Sequence, residues 1–251
     1  HDLVLISDSN VRVESDYLRR VVAHLDNDVG MVTAVVAGAD AESTGGRLEA
    51  TYLNTFYARW MFLAEKAGNT CVVGKSMLFS RKVAARFGGI RALGRYLAED
   101  YMAGVAMRKI GQRVMVQSNP VRQHIGKYSV GDFWSRHIRW GRIRKSQAPA
   151  AFLFEPLLGS LVSAALGAWA THRAFGLSPQ HFAILHFGLW SACDLLLMRR
   201  LDGALRLWMP GVWLLRELLA IPLWAHTLSG NTVSWRGRKL ALEQGGLLKL
   251  S

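Results

Sequence analysis

The chain has 251 residues, 51% of them hydrophobic, with 31 Lys and Arg against 18 Asp and Glu and a formal net charge of +13. Its two cysteines, Cys71 and Cys193, lie far apart, which excludes a disulfide framework or a cysteine-rich zinc site. A mean hydropathy of +0.13 is high for a soluble domain. The apolar excess lies beyond about Ser146, so the chain divides into a mixed half and an apolar half. The positive charge clusters beside the apolar stretches: Arg136, Arg139, Arg142, Arg144 and Lys145 before the first, Arg199 and Arg200 after the second. That placement follows the positive-inside pattern and faces anionic headgroups, so it reads as a membrane signal and not as a nucleic-acid footprint.

In chain order, His1 to Asp8 reads as a short buried parallel strand, a continuous apolar run ended by polar residues. The chain starts without Met and already inside this pattern. No signal peptide is visible, and the expectation is a fragment lacking the N-terminal part of its catalytic domain. Glu14 to Leu25 reads as a helix with Tyr17, Leu18, Val21, Val22 and Leu25 on one face. Val29 to Ala37 is a second buried strand, followed by a small-residue loop from Ala39 to Gly46. Leu48 to Lys66 is helical and rich in aromatics; it either lies against a membrane or packs in the core. Cys71 to Ser80 is a third strand, interrupted by Gly74, which marks close approach of a ligand or backbone. Glu99 to Ile110 is a helix stopped by Gly111, and Arg113 to Val116 is a fourth strand. Strands alternating with helices predict an α/β sheet with parallel pairing. Ser129 to Lys145 is a basic helix carrying Phe133, Trp134, Ile138 and Trp140, interfacial in character.

Three apolar runs follow, at about 152–171, 181–198 and 208–228, each near the roughly 20 residues that cross a bilayer. The third carries Arg216-Glu217 and is broken by Pro210 and Pro222, so it is kinked or re-entrant. Three crossings would set Arg236, Arg238 and Lys239 against the positive-inside rule; two crossings and a re-entrant segment would not. The predicted organisation is a catalytic part over 1–128, a basic interfacial helix over 129–148, and a transmembrane region with a short basic tail over 149–251.

Three sets of residues carry candidate chemistry. Asp8, at the carboxyl end of a strand where α/β sheets bind ligands, is either a ligand for Mg²⁺ or Mn²⁺ bridging a diphosphate or a turn former with Ser9 and Asn10. Glu99-Asp100 are either helix-start acids or a general base that removes a hydroxyl proton. Arg136, Arg139 and Trp140 share a helical face; the arginines hold either a diphosphate, through bidentate hydrogen bonds, or lipid headgroups.

Read together, these stretches resemble the ceramide glucosyltransferases, membrane-bound GT-A enzymes. The matching segments are Ser7-Asp8-Ser9, Val11-Arg12-Val13, Cys71-Val72-Val73-Gly74 with Ser76-Met77, Ala98-Glu99-Asp100-Tyr101, Tyr128-Ser129, Ser135-Arg136-His137-Ile138-Arg139-Trp140, Glu155-Pro156, Arg216-Glu217 and Ser234-Trp235-Arg236. Arg-x-x-Arg-Trp following Glu-Asp-Tyr is the most discriminating; processive polysaccharide synthases carry a similar pentapeptide that begins with Gln. The resemblance implies a partial GT-A (Rossmann-like) domain followed by transmembrane helices. It implies inverting glucosyl transfer from UDP-glucose to ceramide at the cytoplasmic membrane face. In it, Asp8 holds Mn²⁺ or Mg²⁺ and the diphosphate, Asp100 is the base, and Arg136, Arg139 and Trp140 hold the UDP end. Ser76, Tyr57 and Glu99 are acceptor-side candidates. Two departures stand out. An earlier aspartate of the family precedes the first residue here, and Tyr57 stands where animal members have a histidine. The alternatives are another lipid acceptor such as a hopanoid or glycerolipid, a growing polysaccharide, or a non-catalytic membrane-anchored subunit.

Overall fold

The computed structural model describes residues 1–69, 71–235 and 237–247; Arg236 of the predicted basic tail lies outside the described residues. In chain order the elements are β1 (Leu3–Ile6), β2 (Val11–Arg12), α1 (Tyr17–Ala23), β3 (Val29–Ala41), α2 (Thr44–Tyr52), a π-helical segment (Leu53–Tyr57), α3 (Ala58–Lys66), β4 (Met77–Ser80), α4 (Arg81–Ala85), α5 (Glu99–Lys109), β5 (Arg113–Gly126), α6 (Val130–Gln147), α7 (Pro149–Phe154), α8 (Ser160–Phe175), α9 (Pro179–Asp202), α10 (Met209–Leu228), β6 (Thr232–Trp235) and β7 (Arg238–Ala241). Short 3₁₀ turns cover Ile90–Leu93, Glu155–Leu158 and Gln244–Gly246. The chain forms two compact units, one of His1–Asp40 with Tyr57–Ile125, the other of Ala41–Phe56 with Gly126–Ser251.

The first unit is built on a five-stranded sheet of order β1-β4-β3-β5-β2. β3 is its centre because Val29-Gly-Met-Val-Thr-Ala-Val-Val supplies a continuous run for a strand covered on both faces, and every residue from Val29 to Ala39 is buried. The expected parallel pairing holds for the two long strands: Arg113 N–H donates to Asp28 C=O at one end and Glu42 N–H to Gly126 C=O at the other, so β3 and β5 run the same way. Elsewhere the expectation is corrected. β1 and β3 both pair antiparallel with β4, and β2 pairs antiparallel with β5. β1 is an edge strand with Leu3 and Leu5 exposed, not a buried central one. The third predicted strand shrinks to Met77–Ser80, since Cys71–Ser76 is loop. Met31, Met77, Phe79, Leu93, Ala103 and Met107 pack one face of the sheet against α5; full burial of such apolar side chains contributes about 1.5–3 kcal/mol each.

The second unit is mainly helical. Ser43 caps α2, its Oγ accepting from Gly46 N–H at 3.2 Å. Ser129 and Asp132 form a reciprocal capping box that starts α6. The two starts are laced together: Ser43 Oγ donates to Tyr128 C=O at 2.6 Å and accepts from Tyr128 N–H at 2.9 Å. A Cβ at Gly45 would lie 2.3 Å from the Ser129 carbonyl atoms, so only glycine fits this crossing. α10 packs on α2 and α6, and α8 on α9. A Cβ at Gly141 of α6 would meet Thr227 Oγ1 of α10 at 2.6 Å. Residues Leu48–Phe56 are all buried, which decides for core packing over membrane contact in that stretch.

The apolar C-terminal half folds into helices of unequal length and apolarity. Among the described residues one helix, α9, is long and apolar enough to cross a membrane. Pro149–Leu158 and Ser160–Phe175 count as a second span only if taken together, and they meet at a bend of 73°. Pro156 inside the 3₁₀ turn and the extended Gly159 make that bend. α10 continues through Pro222 as one helix, but Arg216 and Glu217 are buried in it as an ion pair, which lowers its hydropathy. α9 and α10 are joined by a buried hydrogen bond, Trp213 Nε1 donating to Asp194 at 2.8 Å.

Candidate active site

The candidate residues fall into two constellations, one in each unit. In the first unit Asp8 follows the end of β1 in a tight turn, with Val11 N–H donating to its C=O at 3.3 Å. The turn reading of Asp8 is therefore met by the backbone, while its carboxylate remains half-exposed. That carboxylate accepts from Lys75 Nζ at 2.5 Å, and the same ammonium donates to Asn10 Oδ1 at 3.0 Å. Among the described residues no group of three or more His, Cys, Asp or Glu side chains is arranged to hold a metal ion.

Asp100 opens α5 without acting as its cap. Its Oδ2 accepts from Gly74 N–H at 2.8 Å and its Oδ1 from Tyr101 N–H at 2.7 Å. Burial pushes its carboxyl above the ordinary carboxylate range, the two N–H donors offset part of that rise, and the charge of Asp8 adds to it. A Cβ at Gly74 would make only ordinary contact with Asp100 at 3.6 Å, so what Gly74 supplies is its N–H. The neighbouring Glu99 is exposed at its surface; partial burial raises its pKa, and the charges of Asp100 and Asp8 raise it further. Two carboxyls pushed upward near a third make this cluster a candidate for proton transfer. Ser76 is 2% exposed, with its hydroxyl committed to Tyr17 OH and its carbonyl accepting from Thr33 Oγ1 at 2.8 Å. It braces β4 against α1 and β3. Tyr57 ends the π-helical segment, partly buried.

In the second unit Arg136 and Trp140 share a face of α6 as the spacing predicts, the guanidinium lying 4.3 Å from the ring centroid. Burial and the adjacent Arg136 charge pull the Arg139 pKa down. The helix holds these side chains with a group that sequence reading passed over. Glu49 of α2, only 1% exposed, lies 3.1 Å from Arg136 Nε through Oε1 and 2.8 Å from His137 Nε2 through Oε2. His137 is wedged between Tyr52 and Phe133, at 4.1 and 4.3 Å between centroids, and burial pulls its pKa below the usual imidazole value. The signal for Glu49 was the lone carboxylate between Leu48 and Phe56, since a buried charge requires a partner. The signal for Lys75 was likewise a charge inside the apolar Cys71–Ser80 run.

A family model described as glycosyl transferase family 21 matches residues 1–248. Similar curated proteins include ceramide glucosyltransferase 3 of Caenorhabditis elegans, 28% identical over 252 residues that cover 98% of this chain and 55% of that protein. Ceramide glucosyltransferase 1 of the same organism is 26% identical over 257 residues, covering 100% of this chain and 55% of that protein. The ceramide glucosyltransferase of Candida albicans is 24% identical over 264 residues, with 81% and 48% covered. The chain spans about half the length of the curated relatives it matches. A match over nearly every residue, in a chain that sets Asp100 at the start of α5 and Arg136 against Trp140 on α6, places it: the chain belongs to glycosyl transferase family 21.

Proposed function

We propose that the chain is part of an inverting glucosyltransferase acting on ceramide or a similar membrane lipid, with UDP-glucose as donor, at the cytoplasmic face of the membrane. The observation that carries this reading is Asp100: a carboxyl with raised pKa, fixed by the N–H groups of Gly74 and Tyr101. Such a group is aimed by its surroundings and accepts a proton more readily than an ordinary aspartate. Asp100 takes the proton of the acceptor hydroxyl; the oxygen bonds to the anomeric carbon as the bond from that carbon to the diphosphate breaks, and UDP leaves with the bonding pair. Inversion follows from a single displacement.

Arg136 and Arg139 neutralise the departing diphosphate, and Trp140 keeps the Arg136 plane in place by stacking. Glu99 and Tyr57 lie on the acceptor side; Ser76, closed off by Tyr17, supports the strand behind it. A divalent ion, Mg²⁺ or Mn²⁺, fits these residues only as one shared with the donor's phosphates, because Asp8 offers a single carboxylate. Held there, it would add positive charge to the diphosphate, as Lys75 already does on the protein's side.

The test uses the full-length parent in membranes, given radiolabelled UDP-glucose and ceramide. Asp100→Asn should abolish labelled glucosylceramide while UDP binding survives. Wild-type turnover in that variant would overturn the base assignment. Label appearing only with a hopanoid or another lipid would move the acceptor and keep the reaction.

A further inference from the structure

Glu49 is a buried carboxylate on α2 whose two oxygens are held from opposite sides. A carboxylate only accepts, so His137 Nε2 carries the hydrogen and donates to Oε2 at 2.8 Å. That imidazole cannot swing away, because Tyr52 and Phe133 flank it with ring centroids 4.1 and 4.3 Å distant. The other oxygen, Oε1, is thereby aimed at Arg136 Nε, 3.1 Å away. The backbone is fixed too: Ser43 ties the start of α2 to Tyr128 at the start of α6, and Gly45 lets the two helices cross closely. The carboxylate therefore reaches α6 from a packed helix and not from a loop.

Such a pair is a weak stabiliser as an arrangement. Desolvating two charges offsets most of their attraction, and apolar residues of the same volume often serve as well. What the pair does fix is geometry. Trp140 meets the face of the Arg136 guanidinium, 4.3 Å from Cζ to the ring centroid. A face contact sets the tilt of the plane and leaves the group free to turn within it. Glu49 at the Nε edge stops that turn. The Nε edge then faces inward, and the terminal amino groups, on a side chain 18% exposed, are left to meet a ligand. A guanidinium held by one edge and one face presents its fork without first ordering its own side chain.

We propose that Glu49 is a positioning residue for the transfer reaction: acting through Arg136, it sets the direction of the guanidinium fork that receives the departing diphosphate. This rests on the diphosphate role given to Arg136 above. Glu49 itself touches neither donor nor acceptor. Were it instead a competing anion, its removal would strengthen the hold on the diphosphate, so the sign of the effect separates the two roles.

The experiment uses the full-length parent in membranes and reads the dissociation constant of radiolabelled UDP. Glu49→Asp keeps the buried charge and withdraws its oxygens by one methylene. It should weaken UDP binding about fivefold and raise the donor KM alike, with the acceptor KM unchanged. In an Arg136→Lys background no fork is left to orient. There the same change should shift UDP binding less than about twofold, because residues that act through one another are non-additive. An equal loss in both backgrounds marks a merely structural part and overturns the proposal, as does undiminished or tighter UDP binding in the single variant. Should Glu49→Asp fail to fold, Glu49→Gln, which keeps the shape, goes through the same cycle, and the same coupling decides. Arg136→Lys separates the two readings. If that variant alone binds UDP as wild type does, the diphosphate role of Arg136 falls and takes this proposal with it. If it binds UDP weakly while the cycle is additive, the role of Glu49 falls and that of Arg136 stands.

Discussion

Replacing Glu49 by Gln should weaken the second unit by about 2 kcal/mol, and the figure follows from the geometry. Glu49 is 1% exposed and its two oxygens face two donors, Arg136 Nε at 3.1 Å and His137 Nε2 at 2.8 Å. Glutamine keeps the shape and loses the charge. A hydrogen bond to a charged group contributes about 1.5–3 kcal/mol and a neutral one about 0.5–1.5 kcal/mol, so the His137 bond loses about 1–1.5 kcal/mol, and loss of the buried charge facing Arg136 in the ion pair removes roughly another 1 kcal/mol or more. The Arg136 side chain is 18% exposed and recovers part of this from water, which leaves about 2 kcal/mol, roughly a thirtyfold change in the folded-to-unfolded ratio. Reversible urea unfolding in mild detergent, followed by tryptophan fluorescence, measures it. The pH dependence adds a second check. His137 has a folded pKa pulled down by burial, with Glu49 opposing that pull. Below the unfolded imidazole value of about 6.5 the unfolded chain takes up a proton that the folded one refuses, so stability is fully present above that pH and lost as pH falls toward the folded value. Removing the Glu49 charge lowers the folded value further and extends the loss to lower pH. A Glu49→Gln protein within about 0.5 kcal/mol of wild type, or one whose stability falls as pH rises through 6.5, would refute the reasoning.

Asp100 titrates above its ordinary value, so kcat should fall on the acid side at a pH higher than an unperturbed aspartate would give; an acid limb at or below the ordinary value, seen in a pH–rate profile, contradicts the burial argument. Gly45→Ala drives a Cβ into the Ser129 backbone and should cost about 1–3 kcal/mol, with faster hydrogen exchange at Tyr128 and Ser129 as the α2 and α6 starts part. Lys75→Met removes the ammonium from Asp8, so Mn²⁺ binding in the presence of UDP, followed by electron paramagnetic resonance, should tighten several-fold; weaker binding would show that Lys75 helps hold the ion's ligand in place.

The sequence was most informative where local pattern alone decides. α5 begins at Glu99 and stops before Gly111, whose φ of +81° suits glycine, as expected. Arg136 and Trp140 meet because a four-residue spacing on a helix requires it. Pairing was not legible, because β1 finds β4 across more than seventy residues and nothing in Leu-Val-Leu-Ile dictates direction. β5 was expected only over Arg113 to Val116. It continues to Gly126, since β2 covers it only at Arg122 and Gln123 and leaves Pro120 without a partner strand on that side. A hydropathy run likewise does not reveal that Arg216 and Glu217 are buried or that the chain bends by 73° between Leu158 and Ser160. Glu49 stood out only as a lone carboxylate, and its role was not legible because its partners lie 87 and 88 residues downstream.

The start of α8 bears on how the chain is made. Gly159 has no side chain to cap that helix, and the Ser160 N–H and hydroxyl are instead received by Glu217, on a helix that follows 57 residues later. During synthesis α8 therefore leaves the ribosome with its first amide unanswered, and it stays so until α10 has emerged and carried Glu217 to it. The two α9 flanks are complete before either end of this bond can form. Completion of the α8 start is thus a late event that waits on one carboxylate of α10.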